Sequence, residues 1–198
     1  MIRPIHLLSC IWIPVVCLAI PHTASAVVPG RKTPPPPASF RASFVESHTL
    51  PGFAQPLVSR GRVRFNKKRG ISWEVTSPYH YLFIMTSAGA EEQLPDGSIH
   101  HLRPGKAPWL RVVQHLFLNA LTGNLSGLKA YFSVRITPIR DGQLVILTPR
   151  KGPLMKVINS IQVTDGRDAL PRSLQIDETS GGNLTIRFFD VRLNAGAP

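Results

Sequence analysis

Short runs of alternating apolar and polar residues, separated by tight-turn signals, dominate this chain and direct it towards a mainly β fold. Val63 and Phe65, for example, alternate with Arg62 and Arg64. In chain order, we predict strands over residues 62–65, 72–76, 79–86, 131–137, 143–148, 156–164, 173–177 and 184–191. Strands joined by such short turns predict a strongly curved antiparallel sheet, or an unclosed antiparallel β-barrel.

Two segments have the spacing of helices. In the first, over residues 40–50, Phe40 and Phe44 fall on one helical face, and a Pro-Gly pair follows. The second, over residues 109–121, carries apolar residues at helical spacing between a proline and a glycine. We therefore predict one helix before the strands and one between the two strand-rich halves.

The predicted strand over residues 79–86 is apolar on both faces. One face would carry Tyr81, Phe83 and Met85, and the other Leu82 and Ile84. Such a strand needs cover on both sides, and the helix over residues 109–121 is the candidate cover. It could pack directly on the sheet as a core helix, or act as a lid over an apolar cavity. The lid hypothesis predicts a cavity lined by Trp73, Tyr81, Phe83, Met85, Leu110, Val113 and Phe117.

Residues 1–26 have the three parts of a cleavable secretory signal peptide. Arg3 supplies the positive region, residues 7–20 the apolar core, and Ala24-Ser25-Ala26 the cleavage site. The apolar core of about 14 residues is shorter than the roughly 20 that a spanning helix needs. We therefore expect a periplasmic protein that does not span the membrane. An uncleaved anchor and a lipoprotein signal are the alternatives.

Two further regions follow the signal peptide. Residues 27–37 form a proline-rich linker, because consecutive prolines favour an extended chain. Residues 38–198 have the length of a single domain.

The strong positive charge limits the classes of partner. The chain has 23 Lys+Arg against 11 Asp+Glu, a formal net charge of +12, which favours an anionic membrane surface, an acidic lipid or an acidic protein. A solvated basic surface without a partner is the alternative. Nucleic acid is not expected, because the chain is exported and lacks a nucleic-acid-binding fingerprint.

The sequence offers little that could support catalysis. Both cysteines, Cys10 and Cys17, lie in the predicted signal peptide, so the mature chain would have no thiol for catalysis, disulfides or metal binding. His100 and His101 fall in a predicted loop without carboxylates at ligand spacing. No Gly-x-Ser-x-Gly motif occurs. We predict that the protein is not an enzyme and holds neither cofactor nor metal.

Several elements together resemble the periplasmic lipoprotein carriers of the LolA family, from residue 40 to about residue 194. They are Phe40-x-x-x-Phe44, Gly61-x-Val63-x-Phe65, Trp73 followed by Pro78, the segment over residues 82–89, and Leu147-Thr148-Pro149. The resemblance implies an unclosed antiparallel barrel with helices as a lid over an apolar cavity. It also implies that a monomer binds acyl chains of a lipoprotein or other lipid. An inner-membrane transporter would donate this cargo and an outer-membrane acceptor would receive it.

The sequence departs from the family pattern in the turn before the tryptophan-bearing strand. Members of the family carry a basic residue there, usually arginine, which holds the lid closed. Here the position falls on Lys67, with Lys68 and Arg69 beside it, and lysine lacks the planar fork of arginine. The resemblance implies a lid-coupling role for this turn; a solvated hairpin turn is the alternative. A periplasmic sensor, or an outer-membrane acceptor of the same fold that binds lipidated protein, remains open as a function.

Overall fold

The computed structural model describes residues 37–66, 68–86, 88–102, 129, 131–150, 152–168 and 170–195. The predicted signal peptide, linker residues 27–36 and the predicted helix over residues 109–121 lie outside this part of the chain. Four of the predicted site residues also lie outside it: Lys67, Leu110, Val113 and Phe117.

Eleven antiparallel strands of the described residues form one sheet. The strands are β1 (Pro37–Thr49), β2 (Leu57–Asn66), β3 (Gly70–Ser77), β4 (Tyr81–Thr86), β5 (Gly89–Gln93), β6 (Ile99–Leu102), β7 (Phe132–Ile139), β8 (Gly142–Pro149), β9 (Ile158–Gly166), β10 (Pro171–Glu178) and β11 (Asn183–Ala195). Their order in the sheet is β6-β5-β4-β3-β2-β1-β11-β10-β9-β8-β7. In the described residues β6 and β7 form the two edges, so the sheet is not closed, as the sequence predicts.

Two meanders meet at the centre of this sheet. Among the described strands, only the pairing of β1 with β11 joins strands that are distant in the chain, over the register from Pro37–Ala195 to Thr49–Asn183. Every other pair of neighbours is consecutive in sequence. The first and the last described strands are therefore the central pair of the sheet.

The two-residue period of the sequence gives the sheet two different faces. We call the face with the buried side chains the inner face and the opposite one the outer face. The core of the inner face draws on strands from β1 to β11, and its members include Phe40, Phe44, Val63, Trp73, Phe83, Val145, Ile161, Leu174 and Ile186. One apolar surface thus runs across most of the sheet.

The prediction of a helix over residues 40–50 is wrong, because residues 40–49 belong to β1. The spacing of four between Phe40 and Phe44 fits a two-residue period as well as a helical turn, and Ala42 between them is also buried. β1 pairs with β2 on one side and with β11 on the other. Hydrogen bonding on both edges outweighs the local helical spacing.

The predicted loop around His100 and His101 is also wrong, because both residues lie in β6. β6 pairs with β5, a strand that the sequence analysis did not predict. Charged residues at successive positions hide the alternation of β5, where Ala90 and Glu92 are the buried members.

For residues 79–86 the sequence predicts that alternate side chains point to opposite faces, and β4 confirms this for residues 81–85. Tyr81, Phe83 and Met85 lie on the inner face with at most 1% of their surface exposed. Leu82 and Ile84 on the outer face are partly exposed, so the expected complete cover of both faces is not found. Among the described residues no helix is long and apolar enough to cross a membrane, and the predicted helical lid lies outside them.

Candidate functional site

An aromatic stack across three strands forms the centre of the inner face. The rings of Phe44 in β1 and Trp73 in β3 stack with centroids 4.0 Å apart and planes 23° from parallel. The strand between them, β2, has Gly61 directly opposite Phe44. A Cβ atom on Gly61 would lie 2.6 Å from Phe44 Cζ and would also collide with the backbone carbonyl of Glu74. Glycine at this position lets the phenyl ring cross β2 and reach the indole.

The four described members of the predicted cavity lining lie together on β3 and β4. Trp73 is paired with Phe83, and Tyr81 and Met85 are the next inner-face residues along β4. The indole Nε1 of Trp73 has no hydrogen-bond partner among the described residues, although a buried indole N–H usually finds an acceptor. Tyr81 Oη, by contrast, donates to Glu92 Oε1 at 3.2 Å. This group of four side chains is therefore mainly apolar, and it contains one buried N–H donor, Trp73 Nε1, that the described residues do not satisfy.

A carboxyl group interrupts the apolar inner face at Glu46 of β1, which is 4% exposed. Burial raises the pKa of Glu46 to about 8, and the nearby hydroxyl of Ser59 opposes the rise. In the described residues neither Glu46 Oε2 nor Ser59 Oγ has a hydrogen-bond partner, although the two residues are directly paired across β1 and β2. At neutral pH this carboxyl is therefore mostly protonated and uncharged.

Two other buried carboxyls lie on the same face, towards the outer strands. Burial raises the pKa of Glu92 in β5 above its ordinary value, opposed by the Tyr81 hydroxyl and by His100. Burial also raises the pKa of Asp165 in β9 to about 6, although Gln143 Nε2 donates to it at 3.2 Å. Desolvation of the charged form is the cause in both cases.

An imidazole–carboxylate pair lies at the end of the central strands. His48 Nε2 in β1 is 3.0 Å from Glu178 Oε1 in β10. Since His48 lies two residues after Glu46, both side chains point to the inner face. Polar groups are thus concentrated at this end of the strand, whereas Phe40 and Phe44 occupy the other end.

The sequence contains a signal for these buried polar residues, which the predicted helix hides. Glu46 and His48 share the parity of Phe40 and Phe44 in the chain, so a strand interpretation of this segment would have placed them on the apolar face. The helical interpretation concealed that parity.

The described part of the basic turn makes local contacts. The backbone N–H of Lys68 donates to Asn66 Oδ1 at 2.9 Å, and that of Arg69 donates to Asn66 O at 3.0 Å. The Arg69 side chain borders a groove of about 460 Å³ that lies mainly on the outer face. Both Lys68 and Arg69 are exposed. Their predicted coupling to a lid stays a prediction.

The described residues contain no group of three His, Cys, Asp or Glu side chains placed to hold a metal ion. In β6, His101 Nδ1 lies 3.4 Å from Glu91 Oε2, in an exposed pair. These two side chains form an exposed polar contact between β5 and the edge strand β6.

Comparison with known proteins gives matches in structure alone. No protein-family model matches the chain, and no curated protein does. Similar solved structures include a LolA superfamily protein from Nitrosomonas europaea, with 11% identity, a TM-score of 0.41 and 93% of each chain covered. A chain of the MucA/MucB complex from Pseudomonas aeruginosa has 13% identity and a TM-score of 0.44, with 94% of this chain and 57% of that chain covered.

The lipoprotein LppX from Mycobacterium tuberculosis is also similar, at 9% identity and a TM-score of 0.44, with 82% of this chain and 89% of that chain covered. Identities and TM-scores this low assign no function, so the function has to be inferred from the residues of this chain.

Proposed function

We propose that the protein binds acyl chains of a lipoprotein or another lipid at its inner face and carries them through the periplasm towards the outer membrane. The observation that carries the proposal is the continuous apolar core on one face of an unclosed sheet, centred on the Phe44–Trp73 stack. Acyl chains gain roughly 25 cal/mol for each Å² of apolar surface removed from water. An aromatic and aliphatic surface of this kind favours them without requiring a specific headgroup.

The buried carboxyl of Glu46 is compatible with an acyl ligand. A charged carboxylate beside an acyl chain would be strongly unfavourable, but Glu46, with its pKa raised to about 8, is mostly uncharged at neutral pH. Trp73 Nε1, which has no hydrogen-bond partner in the described part of the chain, can donate to an ester or amide carbonyl at the head of the acyl chain. The inner face therefore offers an apolar surface and one directional donor.

The predicted lid belongs to this proposal. The helix over residues 109–121 would close over the inner face and contribute Leu110, Val113 and Phe117 to the cavity. The turn at Lys67, Lys68 and Arg69 would hold the closed form. A monomer of this kind would receive cargo from an inner-membrane transporter and pass it to an outer-membrane acceptor, without catalysis or a cofactor.

A tryptophan-quenching experiment tests the binding step. The chain has three tryptophans, and Trp12 lies in the predicted signal peptide. Trp109→Phe therefore leaves Trp73 as the reporter in the mature protein. A fatty acid brominated along its acyl chain should quench Trp73 fluorescence, whereas the unbrominated acid should not. Trp73→Phe, which retains Trp109, is the matched variant that reports from the predicted lid.

The outcome separates binding from carriage. In one outcome the fatty acid fills a site for a lipophilic dye elsewhere on the protein and still leaves Trp73 unquenched in Trp109→Phe. That result would contradict acyl binding at the inner face. If quenching occurs, mass spectrometry under native conditions of protein purified from its own periplasm should show a copurifying lipid or acylated peptide. Quenching without such cargo would favour the sensor or acceptor alternative over the carrier.

A further inference from the structure

The outer face of the three central strands carries a grid of exposed arginines. We call it the arginine patch, and its members are Arg60, Arg62 and Arg64 on β2, Arg41 on β1, and Arg187 and Arg192 on β11. The strand register arranges them in three rows. These are Arg64–Arg41–Arg192, Arg62–Ser43–Phe189 and Arg60–Val45–Arg187. With strands about 4.8 Å apart and residues on one face about 6.8 Å apart, the grid spans roughly 10 by 14 Å.

A β-bulge completes the first row. Between the pairs Ser43–Phe189 and Arg41–Arg192, β1 has one residue and β11 has two. One of these two, Asp190, has a φ of 51°, a left-handed conformation that is unfavourable for most residues other than glycine. Without the extra residue, Val191 would lie opposite Arg41. The bulge instead brings a third arginine into line, although like charges directly opposite one another are destabilising.

The positive charge of the patch is largely uncompensated. All eleven acidic side chains of the protein lie in described residues, and one patch member forms an ion pair with them, Arg62 Nη2 with Glu74 Oε2 at 3.4 Å. Two grooves of about 460 and 360 Å³ border the patch, and Arg41, Arg64 and Arg192 line both of them. Asp190 lines the smaller groove but forms no ion pair with the described residues. The row of three arginines therefore lacks an acidic partner in the described structure.

We propose that the arginine patch docks face-on against the phosphate headgroups of an anionic lipid bilayer. Guanidinium groups bind phosphate oxygens in a bidentate manner, and a two-dimensional grid of them matches a two-dimensional array of headgroups. Phe189, which is 47% exposed, lies inside the grid. An exposed ring among cations suits the boundary between headgroups and acyl chains.

The position of the patch favours a bilayer over an acidic peptide. An extended peptide commonly adds to the free edge of a sheet, whereas the patch lies on its three central strands, each already paired on both sides. The inference does not depend on acyl binding, because the patch uses the outer face and the proposed acyl site the inner one.

Vesicle co-sedimentation of the purified protein tests the proposal. The vesicles contain phosphatidylcholine and phosphatidylglycerol at 70:30, with pure phosphatidylcholine as the neutral comparison, in about 0.1 M salt. The test variant is Arg41→Gln/Arg64→Gln/Arg192→Gln. The matched control, Arg135→Gln/Arg140→Gln/Arg150→Gln, removes three exposed arginines at or beside β7 and β8. These strands lie about 14 Å or more from β11, beyond the Debye length of about 10 Å at 0.1 M salt.

The wild type should bind the anionic vesicles and not the neutral ones. Each arginine near an anionic surface contributes about fivefold in partitioning, so the test variant should bind about 100-fold more weakly. The control should lose no more than about threefold. Circular dichroism should show both variants folded, since the test variant relieves repulsion between paired arginines.

Three results would overturn the proposal. The first is an equal loss in both triple variants, which would indicate attraction by net charge alone. The second is a wild type that ignores anionic vesicles but binds polyglutamate through the same three arginines, which would identify an acidic peptide as the partner. The third is complete release from vesicles by inorganic phosphate at a few millimolar, which would indicate a site for an isolated anion.

Discussion

Glu46→Gln should stabilise the protein increasingly as the pH rises from about 4.5 to 8. In the native state burial raises the pKa of Glu46 from 4.5 to about 8, whereas in the unfolded chain the carboxyl ionises near its ordinary value. Between these two values the unfolded chain has released a proton that the native protein retains. Wild-type stability therefore falls with rising pH in this window, and the loss is complete above about pH 8. Glutamine has the shape of the protonated acid and does not titrate.

The size of the effect follows from the same shift. One pKa unit corresponds to about 1.4 kcal/mol, so a rise from 4.5 to about 8 gives at most about 5 kcal/mol. Urea unfolding at pH 5, 6, 7, 8 and 9 should show the two proteins close together at pH 5 and furthest apart at pH 9. Glu91→Gln, on the partly exposed side of β5, is the control and should follow the wild type. Parallel curves for Glu46→Gln and wild type would refute the reasoning.

Two further changes probe the stack and the basic turn. Gly61→Ala should destabilise the protein by several kcal/mol, because its Cβ would collide with the Phe44 ring and with backbone in β3. Urea unfolding measures this loss of stability, with Ser43→Ala on the outer face of β1 as the control. Equal stabilities of the two variants would contradict the packing argument. Lys67→Leu should bind cargo at least as tightly as wild type and pass it on more slowly, because a charge-assisted bond of about 1.5–3 kcal/mol would no longer favour the closed empty form. A transfer assay from loaded protein to acceptor vesicles measures this rate, and wild-type rates for both Lys67→Leu and Lys67→Leu/Lys68→Leu/Arg69→Leu would contradict the coupling.

Where large apolar residues recur at every second position without interruption, that alternation alone was sufficient to predict the strand. In β4 every second residue is large and apolar, as are Val63 and Phe65 in β2, and a glycine with positive φ, Gly70, closes the β2–β3 hairpin where the basic turn was predicted. These elements are specified locally, because side-chain period and turn chemistry agree. The predicted inward residues of β4 followed directly.

Where two periods fit the same residues, local information was insufficient. Phe40 and Phe44 fit both a helix and a strand, and the choice depends on β11, which lies more than 130 residues away in the chain. The same ambiguity concealed Glu46, since a carboxyl on an apolar face contradicts the usual pattern. Its burial follows from the pairing of β1 with β2 on one side and with β11 on the other, which a helical interpretation of the segment leaves out.

The arginines of β2 also bear on how the sheet finds its register. Gly61, Val63 and Phe65 face inward, and Arg60, Arg62 and Arg64 face outward. A slip of one residue would exchange the two sets, exposing the apolar side chains and burying three guanidinium groups on the apolar inner face. Burying unpaired charges is far more costly than the repulsion between exposed arginines. The arginine patch therefore excludes the slipped register of the central strands, and this role holds whether or not a bilayer is its partner.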